Sequence, residues 1–377
     1  MSLSISKQTL FDLLQKAYPI IPLKSTLQIL SNFRITFNNG RIEITATDLD
    51  QSIRIINEVK RDESFDITVN ARKIFEIIKE LPDGEVNISV NDNILTLETG
   101  KDFVCKIAGA DSHDFPGFPE VSAGAKFDIS TALLKTMILK SSFAVAKDES
   151  RACLCGVLWE INPTKTGMIA TDGHRLGSCF IKDNFSLKES VNCIVSPKSL
   201  SLLNKIFDDK RNHKISIMVN GKYITFSTNS FTLCSKLIEG PYPDYKKVIP
   251  SNNPKEATIE RMLLVNAVKR ASVFSNQKTH LVKFSFSENA LEIAVINKEI
   301  GGEAREKITI DCKVDSHTIG FNAQYFMEIL EIVKTDKIRI MMNTQISACL
   351  ICPVFQKEED KISDDVFLIM PLRIMEM

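Results

Sequence analysis

The chain has 377 residues, of which 44% are hydrophobic and 25% charged. This composition is ordinary for globular proteins, and the length predicts two or three domains. A formal net charge of zero argues against a protein that simply coats nucleic acid, although a basic face can be balanced by an acidic one. No apolar run approaches the roughly 18 residues of a membrane span, so no membrane segment is predicted.

The amino terminus lacks the charged segment and apolar stretch that direct export, so we expect a cytoplasmic protein. Nine cysteines, an odd number, fit that compartment as reduced thiols that pack like small apolar residues. Cys349 and Cys352 form one CxxC pair, for which core packing is favoured and metal or redox chemistry is the alternative. We expect no cofactor and no metal.

Six helices are predicted because apolar residues recur near the 3.6-residue period. In chain order they cover residues 7–17, 72–81, 131–146, 198–207, 261–274 and 323–333. Basic residues outnumber acidic ones on these helices, although the whole chain is neutral. The helices are therefore either ordinary solvated faces or a shared basic surface that attracts phosphates. Aromatic residues that stack on single-stranded bases are few, which favours duplex backbone as the ligand.

Strand–turn–strand patterns follow the first, third and fifth helices. When Ala46, Ala170 and Ala294 are aligned, these patterns repeat about every 124 residues. Three such units fill the chain, and each consists of two similar halves of helix plus strands. The fold class predicted is α+β, with three repeated domains at residues 1–125, 126–252 and 253–377.

The most unusual polar cluster is ATDGHRL at residues 170–176, which contains Asp172, His174 and Arg175. These residue types suit acid–base or phosphoryl chemistry, a stabilised turn, or a binding site. Because no nucleophile elbow, phosphate-binding glycine loop or metal-binding histidine pair accompanies them, a binding site is favoured.

The carboxyl-terminal segment, residues 366–374, is strongly apolar and is predicted to be a final core strand. Pro371 interrupts strand pairing and leaves Met370 and Leu372 as walls of a surface groove. A groove lined by Met and Leu suits a short apolar peptide.

Several separated motifs resemble the beta subunit of bacterial DNA polymerase III, the sliding-clamp family. They are STL at 25–27 with IL at 29–30, ATDL at 46–49, ATDGHRL at 170–176, KLIEGPYPDYKKVIP at 236–250, GFN at 320–322 and MPLR at 370–373. The motifs occur in the family's order along the whole chain. The resemblance implies three clamp domains per subunit and a head-to-tail homodimer that forms a ring around duplex DNA.

The same resemblance implies a processivity factor without catalysis of its own, opened by an ATP-dependent loader. Its partners would be duplex DNA, the polymerase III core, the clamp loader and repair polymerases, and no membrane. The polymerases and loader would bind through short apolar peptides in a groove between the second and third domains. The matching groove positions are Leu154, Thr171, Gly173, His174, Arg175, Leu176, Pro243, Lys247, Val248, Asn322, Tyr325, Ile346, Leu368, Ile369, Met370, Pro371, Leu372 and Arg373.

Within that groove, the resemblance implies that Arg175, Lys247 and Arg373 hold polar or anionic parts of the peptide. The positions similar to DNA-contacting ones are Lys24, Lys147, Arg151 and Lys198. The positions similar to the dimer interface are Cys105 and Ile107 on one subunit, opposite Val273 and Phe274 on the other. Two segments depart from the family pattern, the charged stretch at 357–365 and the extension at 375–377.

Two alternatives remain open from the sequence. One is a monomeric enzyme that uses Asp172, His174 and Arg175 on a phosphorylated substrate. The other is a clamp-fold relative that binds partner peptides without a replicative role.

Overall fold

The computed structural model describes residues 2–59, 64–207, 213–298, 301–312, 314, 316–357 and 361–374. Within them, six α-helices are each preceded by one strand and followed by at least three. The helices are α1 (Lys7–Ala17), α2 (Ala71–Glu80), α3 (Thr131–Ser141), α4 (Pro197–Ile206), α5 (Arg261–Ser272) and α6 (Ala323–Ile332). None of the helices in the described residues has the length and apolarity needed to cross a bilayer.

The strands follow the same order six times: strand, helix, three strands. The first two repeats contain β1 (Ser2–Ser6), β2 (Asn32–Asn38), β3 (Arg41–Thr47), β4 (Gln51–Glu58), β5 (Phe65–Asn70), β6 (Glu85–Asn91), β7 (Ile94–Thr99) and β8 (Phe103–Ala110). The next two contain β9 (Ala125–Ser130), β10 (Val157–Ile161), β11 (Lys165–Thr171), β12 (Arg175–Lys182), β13 (Val191–Val195), β14 (Lys214–Val219), β15 (Tyr223–Ser227) and β16 (Phe231–Lys236). The last two contain β17 (Lys255–Glu260), β18 (Leu281–Ser287), β19 (Ala290–Asn297), β20 (Gly302–Thr309), the short β21 (Asp311–Cys312), β22 (Ser316–Asn322), β23 (Lys337–Met342), β24 (Cys349–Val354) and β25 (Asp364–Ile369). The predicted α+β class and the division of each domain into two similar halves are confirmed.

The junction between strand and helix explains why the pattern repeats so regularly. In the first half, Ser6 ends β1 and its hydroxyl accepts a hydrogen bond from Thr9 N at 3.1 Å. Asn70 ends β5 and caps α2 in the same way. A polar residue that caps the first free N–H groups lets a strand turn directly into a helix.

The third helix was predicted too long. Residues 131–146 were expected to be helical, whereas α3 ends at Ser141 and a 3₁₀ turn, Ser142–Ala144, follows. The hydroxyls of Ser141 and Ser142 donate to the carbonyls of Met137 and Ile138, at 2.8 and 2.6 Å. Serines that bond back to the carbonyl four residues earlier bend or end helices, which accounts for the early stop.

The chain forms two compact units. The first contains residues 1–132, 185–189 and 198–237 and carries a twelve-stranded antiparallel sheet. The second contains residues 133–184, 190–197 and 238–377 and carries a nine-stranded and a four-stranded sheet. Strand pairing crosses both proposed domain boundaries, since β4 pairs with β16 and β12 pairs with β25. The boundaries at 1–125, 126–252 and 253–377 stay a prediction.

Aromatic side chains mark the core of the second unit under the four-stranded sheet. The Phe284 ring centroid lies 5.2 Å from that of Phe321 and 5.0 Å from that of Phe326. All three side chains are fully buried. This core fixes α6 against β18 and β22, and α6 carries residues of the candidate site.

All nine cysteines are free thiols, and five of them are buried. Cys349 and Cys352 are three residues apart on β24 and therefore lie on opposite faces of the sheet. Burial raises the pKa of Cys179, Cys193 and Cys349 to about 12 and that of Cys234 to about 11. Their geometry is that of thiols packed in a sheet.

We expect these four high-pKa thiols to resist alkylation because the thiolate is the nucleophile, and about one thiol in 10⁴ is ionised at pH 8 when its pKa is about 12. In native protein treated with iodoacetamide at pH 8, they should react at least about 100-fold more slowly than the half-buried Cys153. Mass spectrometry of tryptic peptides measures each rate. In guanidinium chloride all nine should react alike; equal rates in the folded protein would contradict the prediction.

Candidate functional site

The polar cluster at residues 171–175 forms a tight turn between β11 and β12. Asp172 Oδ1 accepts hydrogen bonds from the backbone N–H of His174 and Arg175, at 2.8 and 2.9 Å. Thr171 Oγ1 donates to the Arg175 carbonyl at 2.7 Å and accepts from Gly173 N at 3.1 Å. Gly173 has φ +86°, a conformation that favours glycine. Thr171 and Asp172 therefore stabilise the turn with their side chains.

Arg175 is buried beneath this turn, with only 3% of its side chain exposed. Its Nε donates to Asp172 Oδ2 at 3.2 Å, its Nη2 donates to the Phe143 carbonyl at 2.8 Å, and its Nη1 donates to Glu328 Oε2. The guanidinium carbon also lies 4.3 Å from the centroid of the Tyr325 ring. The cation is thus fully engaged inside the protein.

An apolar cluster lies beside the turn. Leu176 on β12 is paired in register with Leu368 on β25, and both side chains are buried. Tyr245 and Ala348 also belong to its buried centre, and Met370 packs against it half-buried. These residues come from four separate segments, and strand pairing brings them together.

The carboxyl-terminal segment continues past β25 as an irregular strand. Met370 N donates to the His174 carbonyl at 2.7 Å, and Leu372 N donates to the Gly320 carbonyl at 2.8 Å. Pro371 stands between them and, lacking an N–H, cannot continue the ladder. The predicted interruption at Pro371 is therefore present, since β25 ends at Ile369. Ile369 itself is buried in the other core cluster, on the opposite face from Leu368.

Two exposed apolar side chains lie close in sequence to Ile249 and Ala348 of the cluster. Val248 is 51% exposed and Ile346 is 65% exposed. His174 is exposed and stacks on Tyr325, with ring centroids 6.3 Å apart. Lys247 is exposed and forms a 3.4 Å pair with Asp244. We call the predicted binding surface that comprises these residues together with Leu176 and Leu368 the groove.

The other predicted groove residues differ in exposure and local role. Asn322 caps α6, and its Oδ1 accepts from Gln324 N at 2.9 Å and Tyr325 N at 3.2 Å. Leu154 is buried, whereas Pro243 and Arg373 are exposed. The membership of the whole predicted set in a binding site stays a prediction.

Sequence reasoning missed two groups of residues at the groove. Tyr242, whose pKa is raised by burial, accepts a hydrogen bond from Thr171 N at 3.1 Å and so supports the turn. Tyr242 lies within the motif at residues 236–250, so the sequence did contain a signal that could have identified it. Phe143 and Glu328 contact Arg175 from 32 and 153 residues away in the chain, and no local pattern marks them.

The four predicted DNA-contacting residues are all exposed: Lys24, Lys147, Arg151 and Lys198. Lys24 lies in a loop beside Leu23, which is fully exposed, and Lys198 lies in the first turn of α4. Both belong to the first compact unit, while Lys147 and Arg151 belong to the second.

The predicted interface residues lie at sheet edges and helix ends. β8 pairs with β5 only at Gly109 and Ala110, so Phe103 to Ala108 have no strand partner on that side within the described residues. Beside β8 and α2 lies an open cavity of about 1180 Å³ whose lining includes Cys105 and Ile107. β20 is an edge strand of the four-stranded sheet. Val273 and Phe274, just after α5, are 74% and 37% exposed.

Residues 375–377 and 358–360, within the two departures from the family pattern, lie outside the described residues. In the described part of the chain, no group of three or more His, Cys, Asp or Glu side chains is arranged to hold a metal ion.

Comparison with known proteins identifies the family. The models of the N-terminal, central and C-terminal domains of the DNA polymerase III beta subunit match residues 1–119, 128–244 and 246–372 in turn. The chain therefore has the three-domain clamp fold and belongs to the DNA polymerase III beta-subunit family.

Individual relatives match over their full length. The beta sliding clamps of Pseudomonas putida and Escherichia coli K12 are 28% and 29% identical, with 99% of this chain and 100% of each relative covered. A crystal structure of the DnaN sliding clamp from Pseudomonas aeruginosa bound to griselimycin has a TM-score of 0.93 at 27% identity, covering 99% of this chain and 100% of that one. The sliding clamp of Bacillus subtilis has a TM-score of 0.89 at 27% identity, with 100% of both chains covered.

We expect Leu368→Ala to lower the free energy of unfolding by about 2–5 kcal/mol because it leaves a cavity in the groove floor. Ile346→Ala, at a 65% exposed position of the same groove, should change it by less than about 0.5 kcal/mol. Fluorescence of the single, fully buried Trp159 during guanidinium unfolding measures both. Equal effects of the two substitutions would show that the cluster is not a packed core.

Proposed function

We propose that this protein is a sliding clamp: a non-enzymatic processivity factor that dimerises head to tail into a ring around duplex DNA. The observation that carries the proposal is the consecutive match of all three beta-subunit domains along one chain. Relatives that match over the full length are named beta sliding clamps. Through the groove, the clamp would tether the polymerase III core, the clamp loader and repair polymerases.

Open strand edges support the dimer. An exposed edge presents unpaired N–H and C=O groups and is a template for pairing with another chain. We infer that β8 of one copy pairs with β20 of the next. The cavity beside Cys105 and Ile107 would then receive Val273 and Phe274 of the second copy, which removes their exposed apolar surface from water.

The composition of the groove supports the binding of short apolar peptides. Its floor is apolar and buried, and Val248, Ile346 and Met370 present apolar surface around it. Exposed apolar surface beside a packed apolar cluster suits the recognition of a short apolar peptide. Because two relatives, from Pseudomonas aeruginosa and Bartonella birtlesii, were solved bound to griselimycin, we expect this groove to take the same ligand.

A non-catalytic role agrees with the state of the polar cluster. Asp172 and Arg175 are engaged with each other and with the backbone of the turn, and His174 is the exposed member of the three. An enzyme acting on a phosphorylated substrate would need the Arg175 cation open to that substrate. Opening the ring for DNA would instead require the ATP-dependent loader.

The exposed Lys24, Lys147, Arg151 and Lys198 would contact phosphates. Such contacts are independent of sequence and weaken with salt, because they act by releasing counterions. A closed ring needs no tight contact to stay on DNA, so weak attraction of this kind permits sliding.

We expect wild-type protein to have a solution mass of twice 42.3 kDa by light scattering, and the double variant Val273→Asp/Phe274→Asp to be monomeric. Two carboxylates at the apolar interface would have to be buried without partners, which costs more than the interface gains. The matched control is Val248→Asp, at a similarly exposed apolar position in the groove.

This control should remain dimeric and lose griselimycin binding, measured by calorimetry, while the double variant should keep it. A wild-type chain that stays monomeric at high concentration would refute the ring.

Ring closure predicts a dependence on DNA topology. Protein placed on a nicked circular plasmid by a clamp loader and ATP should co-elute with the circle in gel filtration. Linearising the plasmid should release it, because a ring slides off free ends. Equal retention on both forms would indicate ordinary DNA binding and contradict encirclement.

Lysine variants test the phosphate contacts in equilibrium binding to duplex DNA without a loader. The salt dependence of direct DNA binding is the slope of the logarithm of the binding constant against the logarithm of the salt concentration. Lys24→Ala/Lys198→Ala should reduce the magnitude of this slope by about one per lysine. Lys222→Ala, at an exposed turn between β14 and β15, is the control and should leave the slope unchanged.

A further inference from the structure

We propose that Arg175 is a positioning residue for the groove: it joins the 171–175 turn to α6 through Glu328 and does not contact the bound peptide. The inference rests on the proposed peptide-binding function. It differs from the expectation that Arg175 holds an anionic part of the peptide.

The first reason is that the guanidinium has no free face. Its three nitrogens donate to three acceptors, the Asp172 and Glu328 carboxylates and the Phe143 carbonyl. The ring of Tyr325 covers one of its faces at 4.3 Å, and the Phe143 ring lies 5.4 Å away. With 3% of the side chain exposed, a peptide cannot reach it without breaking these contacts.

The second reason is charge. Two carboxylates already flank the single positive charge of Arg175, so an anionic group arriving there would meet net negative charge. Lys247 and Arg373 are exposed at the groove and lack that obstacle. They are the cations available to an anionic part of a peptide.

The third reason is what Arg175 connects. Glu328 and Tyr325 are three residues apart on α6 and therefore share one face of the helix. Arg175 donates to Glu328 and stacks on Tyr325, and His174, the residue before it in the turn, also stacks on Tyr325. The His174 carbonyl in turn accepts from Met370 N. The Arg175 cation thus joins α6 to the turn, and the turn bonds the carboxyl-terminal segment through its backbone.

The test uses Arg175→Lys, Glu328→Gln and the double variant of the full-length chain, with griselimycin as the probe in calorimetry. Lys keeps the charge but loses the planar fork that reaches three acceptors at once. We expect each single substitution to weaken binding by about tenfold, since each breaks a charge-assisted hydrogen bond that orders the groove. The double variant should also bind griselimycin about tenfold more weakly than wild type, and no more than that, because both changes break the same Arg175–Glu328 link.

Glu331→Gln is the matched control. Glu331 is exposed and lies on the same helix, three residues beyond Glu328, so its loss of charge should leave the affinity unchanged. If Arg175 instead contacted the ligand, Glu328→Gln would release the cation and leave binding unchanged or tighter. That result would overturn the proposal.

A second readout separates positioning from loss of stability. NMR of the imidazole protons reports the stacking of His174 on Tyr325 through its ring-current shift. In Glu328→Gln we expect the His174 signals to move toward those of an unstacked histidine, while the other four histidines stay in place. His174 signals that do not move would contradict the geometry, even if affinity fell.

Griselimycin binding by wild-type protein separates the groove function from the positioning role. If wild-type protein does not bind griselimycin, the proposed groove function is wrong and the positioning role falls with it. If wild-type protein binds and both single variants bind equally well, only the positioning role is wrong.

Discussion

The antiparallel pairing of β12 with β25 is the constraint on which the groove depends. This pairing sets Leu176 opposite Leu368 and places the 171–175 turn next to the segment that follows β25. Residues almost two hundred positions apart thereby form one apolar floor with a hydrogen-bonded edge. A shift of one residue in this register would send Leu368 to the opposite face and Ile369 to the groove, since side chains alternate along a strand.

Around that floor, charge is divided between buried and exposed positions. The buried Arg175 cation is compensated by the largely buried Asp172 and by the partly exposed Glu328, since an unpaired buried charge would be costly. Lys247 stays in solvent with a weak partner. The buried pair therefore orders the site, while the exposed cation remains available to a ligand.

The sixfold repeat of strand, helix and three strands relates the groove to the proposed ring. Repeats continue into one another where edge strands pair, as β4 does with β16 and β12 with β25. Pairing of β8 with β20 of a second copy would be the same kind of contact made between chains. The groove and the proposed dimer interface would then both depend on the pairing of edge strands, because a sheet edge is stable when another strand covers it.

The sequence by itself determined the helices, the hairpins and the threefold period, because apolar periodicity and strand-end caps act over a few residues. It also indicated the interruption at Pro371, which follows from the missing N–H. Only the tertiary structure decided that α3 stops at Ser141 and that Ile369 packs in the core cluster on the opposite face of the sheet from Leu368. It also decided that Arg175 donates hydrogen bonds to Phe143 and Glu328. Those outcomes depend on which distant segments come into contact. A local sequence pattern does not indicate hydrogen-bond partners that lie 32 or 153 residues away, as Phe143 and Glu328 do from Arg175.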